Sequence, residues 1–404
     1  MLTTARKVLS RRAKEISPSL TLEITAKAKK MKDEGISVIG FGAGEPDFGT
    51  PQYIVDAAKE ALDRGFTKYT PSAGTVELRK AIARKLEADN DITYAHNQIV
   101  VSTGGKQCLF NAIFAMVEPG DEVIIPAPFW LTYPELVKMA GAKPVFVATL
   151  EQNGFKLTAE QLKGAITKHT KMLILNSPNN PTGAVYSKQE LESLAKVIVE
   201  NDIFCISDEI YEKLVYGGEE HVSIASLGAD IYNRTVTVNG LSKSYAMTGW
   251  RVGYLAAPKM IADAVNSIQS HTTSNPNSIA QYASTAALSD PQGEGFLQRM
   301  REAYDERRRY MVERINAIEG VSCNEPKGAF YVFVNVSKLL GKSYKQFPIH
   351  DAIDLAQYML DEGVAVVPGN AFGADDHIRL SYAISLEDIQ EGLDRIERFV
   401  KLLK

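Results

Sequence analysis

Residues 235–257 read TVTVNGLSKSYAMTGWRVGYLAA: two short apolar runs, TVTVN and VGYLAA, on either side of a polar turn. Apolar runs this short, bounded by turn residues, read as strands buried on both faces, where the usual alternation of apolar and polar residues is lost. The same texture extends upstream. IVVS, EVIIP, PVFVA, MLILN and FCISD fall between residues 98 and 208, separated by stretches of helical periodicity. Seven such runs alternating with helices predict an α/β fold with a mostly parallel seven-stranded sheet covered on both faces.

The intervening helices carry start signals. Thr158 with Gln161 and Ser187 with Glu190 both fit a capping box, in which hydroxyl and N3 side chain satisfy each other's free backbone N–H groups. Behind Ser187, Leu191, Leu194, Val197 and Ile198 form one apolar stripe, so that helix should lie against the sheet. After about residue 290 a long amphipathic helix contains Leu297, Met300, Tyr304, Met311, Ile315 and Ile318. A strand GAFYVFV, the runs AVVP and IRLSYA, and a last helix with Ile389, Leu393, Ile396, Val400 and Leu403 behind Ser385 complete the chain. This pattern predicts a large domain over 46–290 and a smaller α+β domain made of 291–404 together with 1–45, a segment too short for a core of its own.

Composition narrows the class. The 404 residues carry a formal charge of -4 without a long like-charge block, which points away from nucleic acid and anionic membranes. Arg307 to Arg309, flanked by Glu306 and Glu313, read as a solvated helix face. Cys108, Cys205 and Cys323 sit in apolar runs without CxxC spacing and fit buried reduced thiols. The N-terminus mixes Arg6, Arg11, Arg12 and Lys14 with polar residues and lacks a signal-peptide core, and no segment approaches the ~20 apolar residues of a membrane span. The cytoplasm is the expected location. The histidines lack metal-ligand spacing, so no metal is expected.

Reactive residues of open α/β sheets collect at the carboxyl ends of strands. There the chain places STGGKQ (102–107), NSPNNPTG (176–183), SDEIY (207–211) and NGLSKSYAMTGWR (239–251). The paired glycines Gly104 and Gly105 before a helix make a candidate phosphate cradle, although such turns are more often purely structural. Asp208 at a buried strand end needs a cationic or hydrogen-bonding partner, and a turn acid is the alternative reading. Lys243 by itself is an ordinary loop cation. Together the residues match what pyridoxal phosphate requires. Lys243 supplies an amine for a Schiff base, Asp208 an acid for the pyridinium, Asn180 and Tyr211 contacts to the ring oxygen, and Trp130 a stacking surface. Gly104, Gly105, Lys106, Ser242 and Arg251 supply phosphate donors.

These residues lie in segments that resemble, over nearly the whole chain, the class I aminotransferases of the fold-type I pyridoxal-phosphate superfamily. The segments are FGAGEPDFGTP, KYTPSAG, STGGKQCLF, PAPFWLTYPE, NSPNNPTG, SDEIY, SKSYAMTGWR, GAFY and IRLSYA, in that order. The resemblance is nearest to the bacterial aspartate aminotransferase branch. It implies that Lys243 carries the cofactor and, once displaced by substrate, shuttles a proton between Cα and the cofactor. It also implies that Asp208 keeps the ring protonated, that Tyr211 and Asn180 touch its oxygen, and that Tyr69 reaches the other subunit's phosphate in a homodimer. Arg379 should grip the substrate α-carboxylate as a planar fork, assisted by Gly42 and Asn180, and closure of the small domain should expel water. Trp250 is left as a packing residue.

The implied reaction moves an amino group, with aspartate the leading donor, to 2-oxoglutarate in ping-pong fashion. In this branch the lysine of GGK, here Lys106, takes a distal carboxylate, with Thr21 assisting; the alternative is that Lys106 only neutralises the cofactor phosphate. Prephenate and aromatic amino acids are further substrates of the branch. A β-C–S lyase or similar lyase on the same fold would share Lys243, Asp208 and Arg251. A pyridoxal-phosphate-sensing regulator would need an appended helix-turn-helix, for which the ~45 residues before FGAGEPDF leave too little chain.

Overall fold

A computed structural model describes residues 8–404 of the chain; Arg6 and the side chains of Arg11 and Arg12 lie outside the described residues. The seven apolar runs become β1 (Ile99–Ser102), β2 (Glu122–Ala127), β3 (Lys143–Ala148), β4 (Thr170–Asn176), β5 (Phe204–Asp208), β6 (Thr235–Gly240) and β7 (Gly253–Ala256). They form one sheet in the order β1-β7-β6-β5-β4-β2-β3. The pairs among β2 to β6 are parallel, whereas β7 runs antiparallel to both its neighbours, β1 and β6. Because side chains alternate across a strand, Val123 and Ile125 of β2 enter one core and Ile124 the opposite one, which is why these runs are apolar throughout.

Helices cover both faces. α1 (Leu20–Asp33) ends at Gly35, whose φ of 82° takes the left-handed conformation that closes many helices. α2 (Gly105–Met116) follows β1 directly. α3 (Ala159–Ala165) and α4 (Lys188–Glu200) begin at the capping boxes of Thr158 and Ser187. On α4 the stripe Leu191, Leu194, Val197 and Ile198 is buried against the sheet, each side chain contributing about 1.5–3 kcal/mol by leaving water. α5 (Lys259–Thr272) packs beside α2. No helix among the described residues is long and apolar enough to cross a membrane.

The smaller α+β domain contains α6 (Gln292–Asn316), a four-stranded sheet and α7 (Leu386–Leu402). Its strands β8 (Ser322–Cys323), β9 (Tyr331–Asn335), β10 (Val367–Pro368) and β11 (His377–Ser381) pair antiparallel in the order β10-β11-β9-β8. Met300, Tyr304, Met311 and Ile315 of α6 meet Ile389, Leu393 and Ile396 of α7 in its core. The N-terminal segment docks there: Ile39–Gly40 pairs parallel with Val364–Ala365, and Phe41 is fully buried in the same core.

The arginine cluster departs from the solvated face read from sequence. Arg309 is exposed, but Arg307 pairs with Asp47 at 2.9 Å, and Arg308 is only 2% exposed. Helical periodicity puts Arg308 on the same face as Tyr304, Met311 and Ile315. Its guanidinium is satisfied there by Asp305, Glu325 and the Pro326 carbonyl, as a buried charge requires. All three cysteines are buried free thiols.

Candidate active site

The register of the large sheet creates the site. Gly253, the first residue of β7, pairs with Ser102 at the end of β1 and with Gly240 at the end of β6. One antiparallel strand therefore starts where two others finish. The turn between β6 and β7, which holds Ser242, Lys243 and Arg251, is brought level with Gly104 and Gly105. A Cβ on Gly253 would lie 2.3 Å from the Gly105 nitrogen, so only glycine permits this approach. A Cβ on Gly104 would meet Arg251 Nη2 at 2.5 Å, and Gly104 has φ 83°. Arg251 is itself left-handed at φ 54°, and its Nη1 donates to the Thr248 carbonyl at 2.8 Å.

A cavity of about 750 Å³ opens at these strand ends. It is lined by Gly42, Gly105, Lys106, Trp130, Asn180, Asp208, Tyr211, Ser242, Lys243, Arg251, Arg379 and Thr21 from the sequence reading. Gly104 stands just behind this lining, against Arg251. Tyr69 is not in the lining and is 91% exposed.

Asp208 ends β5 with 4% exposure. Its Oδ2 accepts the Tyr133 hydroxyl at 2.8 Å and its Oδ1 the Ile210 N–H at 3.3 Å. Burial pushes the carboxyl up to about 6, against these two hydrogen bonds. Lys243, half-buried across the cavity, donates to the Gly44 carbonyl. Loss of hydration pushes its amine down to about 8; Glu45 opposes this, while Arg379 and Arg251 add to it. Glu45 in turn accepts from Thr248 Oγ1 at 2.8 Å.

Arg379 projects from β11 with 2% exposure. Nη1 donates to Asn180 Oδ1 at 2.9 Å and Nη2 to the Gly42 carbonyl at 3.1 Å, while Nε has no partner among the described residues. The guanidinium lies 4.3 Å from the Tyr331 ring centroid and 5.0 Å from that of Phe372. Asn180 is fixed through its own N–H to Asn176 Oδ1 at 2.9 Å. Lys106 Nζ stands 5.1 Å over the Trp130 ring, and both desolvation and Arg251 lower its proton affinity. Thr21 Oγ1 is unpartnered among the described residues. Trp250 stays outside this lining and donates from Nε1 to Thr50 Oγ1 at 2.9 Å.

Sequence reading missed Tyr133, Tyr331, Glu45 and Gly253. Tyr133 and Tyr331 sit in PAPFWLTYPE and GAFY, so an aromatic hydroxyl inside an otherwise apolar stretch was the available signal. Folding also gathers Glu209, Glu212 and His221, whose ligand atoms lie within 4.8 Å of one another. Those carboxylates already bind Lys85, Asn90, Ser207 and Ser223, which makes the group an internal charge network.

A strand-end acid, an amine of lowered proton affinity and a buried arginine, facing one cavity between a seven-stranded α/β sheet and a smaller α+β domain, define a fold-type I transferase. The chain belongs to the aminotransferase class I and II family, whose model matches residues 36–396. It is 48% identical over 394 residues to an aspartate aminotransferase of Bacillus subtilis, covering 97% of this chain and 99% of that protein. An aspartate/prephenate aminotransferase of Nitrosomonas europaea is 46% identical over 392 residues, covering 96% of this chain and 98% of that protein. The crystal structure of an aspartate aminotransferase from Rhizobium meliloti matches with a TM-score of 0.94 at 45% identity, over 98% of this chain and 99% of that one.

Proposed function

We propose that the chain is a pyridoxal-phosphate-dependent aminotransferase that moves the α-amino group of aspartate to 2-oxoglutarate, working as a homodimer in the cytoplasm. The observation that carries this reading is the meeting of Asp208, Lys243 and Arg379 in one cavity. The residues fit the cofactor on their own chemistry. The costly buried carboxyl of Asp208 is relieved by a ring cation, and the Gly104 and Gly105 turn lies close beside Arg251, where a Cβ on Gly104 would crowd the guanidinium. Large and small domains are taken as 46–290 and as 291–404 with the N-terminal 45 residues.

When bound, pyridoxal phosphate withdraws electrons from the substrate Cα. Asp208 holds the proton at the ring nitrogen, so that the ring keeps its charge. Asn180 and Tyr211 address the ring oxygen and Trp130 the ring face. Gly104, Gly105, Lys106, Ser242 and Arg251 surround the phosphate at the start of α2, where backbone N–H groups and the helix dipole favour an anion. Arg379 receives the α-carboxylate as a fork, held in place by Asn180 and the Gly42 carbonyl. Lys243 Nζ, with its proton affinity lowered to about 8, is suited to take the Cα proton near neutral pH and return it. Lys106 and Thr21 face the distal carboxylate. Tyr69, exposed on one protomer, is available to the phosphate of the partner's site.

The relatives named for both aspartate and prephenate support prephenate as a further substrate. A donor panel of aspartate, alanine, phenylalanine and the prephenate-derived amino acid with 2-oxoglutarate tests the proposal. Aspartate should give the highest kcat/KM. Pyruvate or ammonia released without any 2-oxo acid acceptor would instead mark a lyase.

A further inference from the structure

We infer that Tyr331 is a positioning residue that sets the proton affinity of the cofactor through Tyr211. This rests on the cofactor reading above. The two hydroxyls are 2.9 Å apart and both side chains are buried, so each is the other's hydrogen-bond partner in the cavity wall. The rings meet edge to face, with centroids 5.9 Å apart, which leaves the hydroxyls little room to separate. Phe330 braces both, at 5.4 Å from Tyr211 and 4.7 Å from Tyr331.

Direction follows from Arg379. Its guanidinium lies on the face of Tyr331, 4.3 Å from the centroid, and a cation there draws charge from the ring and makes its hydroxyl the better donor. Burial raises the proton affinity of both phenols and Arg379 opposes this at each, but it is on the Tyr331 ring that the guanidinium lies. Tyr331 therefore donates and Tyr211 accepts, which frees the Tyr211 proton for the ring oxygen. A hydrogen-bond chain polarises each member in turn. Tyr331 stabilises negative charge on the ring oxygen without touching it, and that lowers the proton affinity of the linkage to Lys243. The fold supplies the chain in two pieces: Tyr211 follows β5 of the large sheet, whereas Tyr331 opens β9 of the small one.

The test is a pH titration of the visible absorption of the substrate-free holoenzyme, a readout independent of turnover. Tyr331→Phe should raise the midpoint by roughly half a unit to one unit, because one donor to a charged network is lost. KM for aspartate should stay within about twofold, since a phenyl face still lies under Arg379. Tyr211→Phe should raise the midpoint further. The double variant should match Tyr211→Phe alone, because a relay has no effect once its next member is gone. Should Tyr331→Phe fold poorly, the comparison of Tyr331→Leu with and without Tyr211→Phe asks the same question. A midpoint unmoved in Tyr331→Phe, or one that moves equally in the Tyr211→Phe background, overturns the inference. A wild-type chain that takes up no visible band removes the cofactor reading itself and this inference with it.

Discussion

The phenol of Tyr133 donates to Asp208 Oδ2 at 2.8 Å, in a cavity wall where both side chains are buried. Burial is the largest influence on Asp208 and pushes its carboxyl upward; the Tyr133 bond is the largest influence holding it down, and the balance falls at about 6. A residue after β2 thus keeps the acid at the end of β5 able to ionise near neutral pH.

Replacing Tyr133 with Phe removes a hydrogen bond to a charged group, worth roughly 1.5–3 kcal/mol. Asp208 should then hold its own proton more tightly and pair less well with a ring cation. Cofactor affinity of the apoprotein, followed by fluorescence near neutral pH, should fall about tenfold or more. An unchanged affinity would contradict the role given to this pair.

Lys243→Ala should abolish the long-wavelength band of the cofactor-loaded protein and lower turnover roughly a thousandfold or more, the range of general-base catalysis. In the wild type the neutral amine is the reactive form, and burial has moved its titration down to about 8. The rate of cofactor capture should therefore rise with pH and level off above about 8, well before the ordinary lysine range. A band that persists in Lys243→Ala would reassign the anchor.

For Lys106→Ala, KM for aspartate should rise about tenfold while that for alanine moves much less, as expected if the ammonium meets the distal carboxylate. Equal losses for both substrates, accompanied by weaker cofactor binding, would instead give Lys106 to the phosphate alone.

Acid stability should depend on Glu212. Desolvation opposes its ionisation, but Lys85, His221 and the Asn90 hydrogen bond outweigh this and hold it down at about 2. A carboxylate depressed in the fold contributes stability that is present above its unfolded value near 4.5 and is lost as pH falls toward 2. Glu212→Gln should accordingly remove on the order of 3 kcal/mol near neutrality and flatten the acid limb of a denaturation series between those limits. Parallel curves for variant and wild type would show that the network carries no such linkage.

At Gly253 an added methyl would press on the backbone of Gly104 and Gly105. Gly253→Ala should cost about 1–3 kcal/mol of stability and weaken cofactor binding more than a comparably destabilising change far from the cavity. Equal effects on binding would place the strain elsewhere.

What was legible in the chain was local. Strand runs, capping boxes and the apolar stripe of α4 depend on neighbours within one element, and Lys243, Asp208 and Asn180 could be placed because each ends or follows a strand. Gly253 was invisible because its importance comes from pairing with Ser102 and Gly240 at once, a matter of inter-strand register that periodicity does not encode. Arg308 was misplaced for a related reason: its charge suggested solvent, while its spacing from Tyr304 and Met311 put it inside. Thr21 and Tyr69 came from the family resemblance. The first lines the cavity, and the second stands exposed on a single protomer.

The turn between β6 and β7 carries Lys243 and Arg251 on one short connection whose two ends are pinned in the same sheet by Gly240 and Gly253. On the function proposed above, the span from Lys243 as covalent anchor to Arg251 as phosphate anchor would therefore be set by one stretch of backbone rather than by the meeting of two domains. The turn is a ruler. On that same proposal, a shift of the small domain would leave the length that the ruler measures unchanged, and the cofactor would be held to one gauge whichever substrate enters.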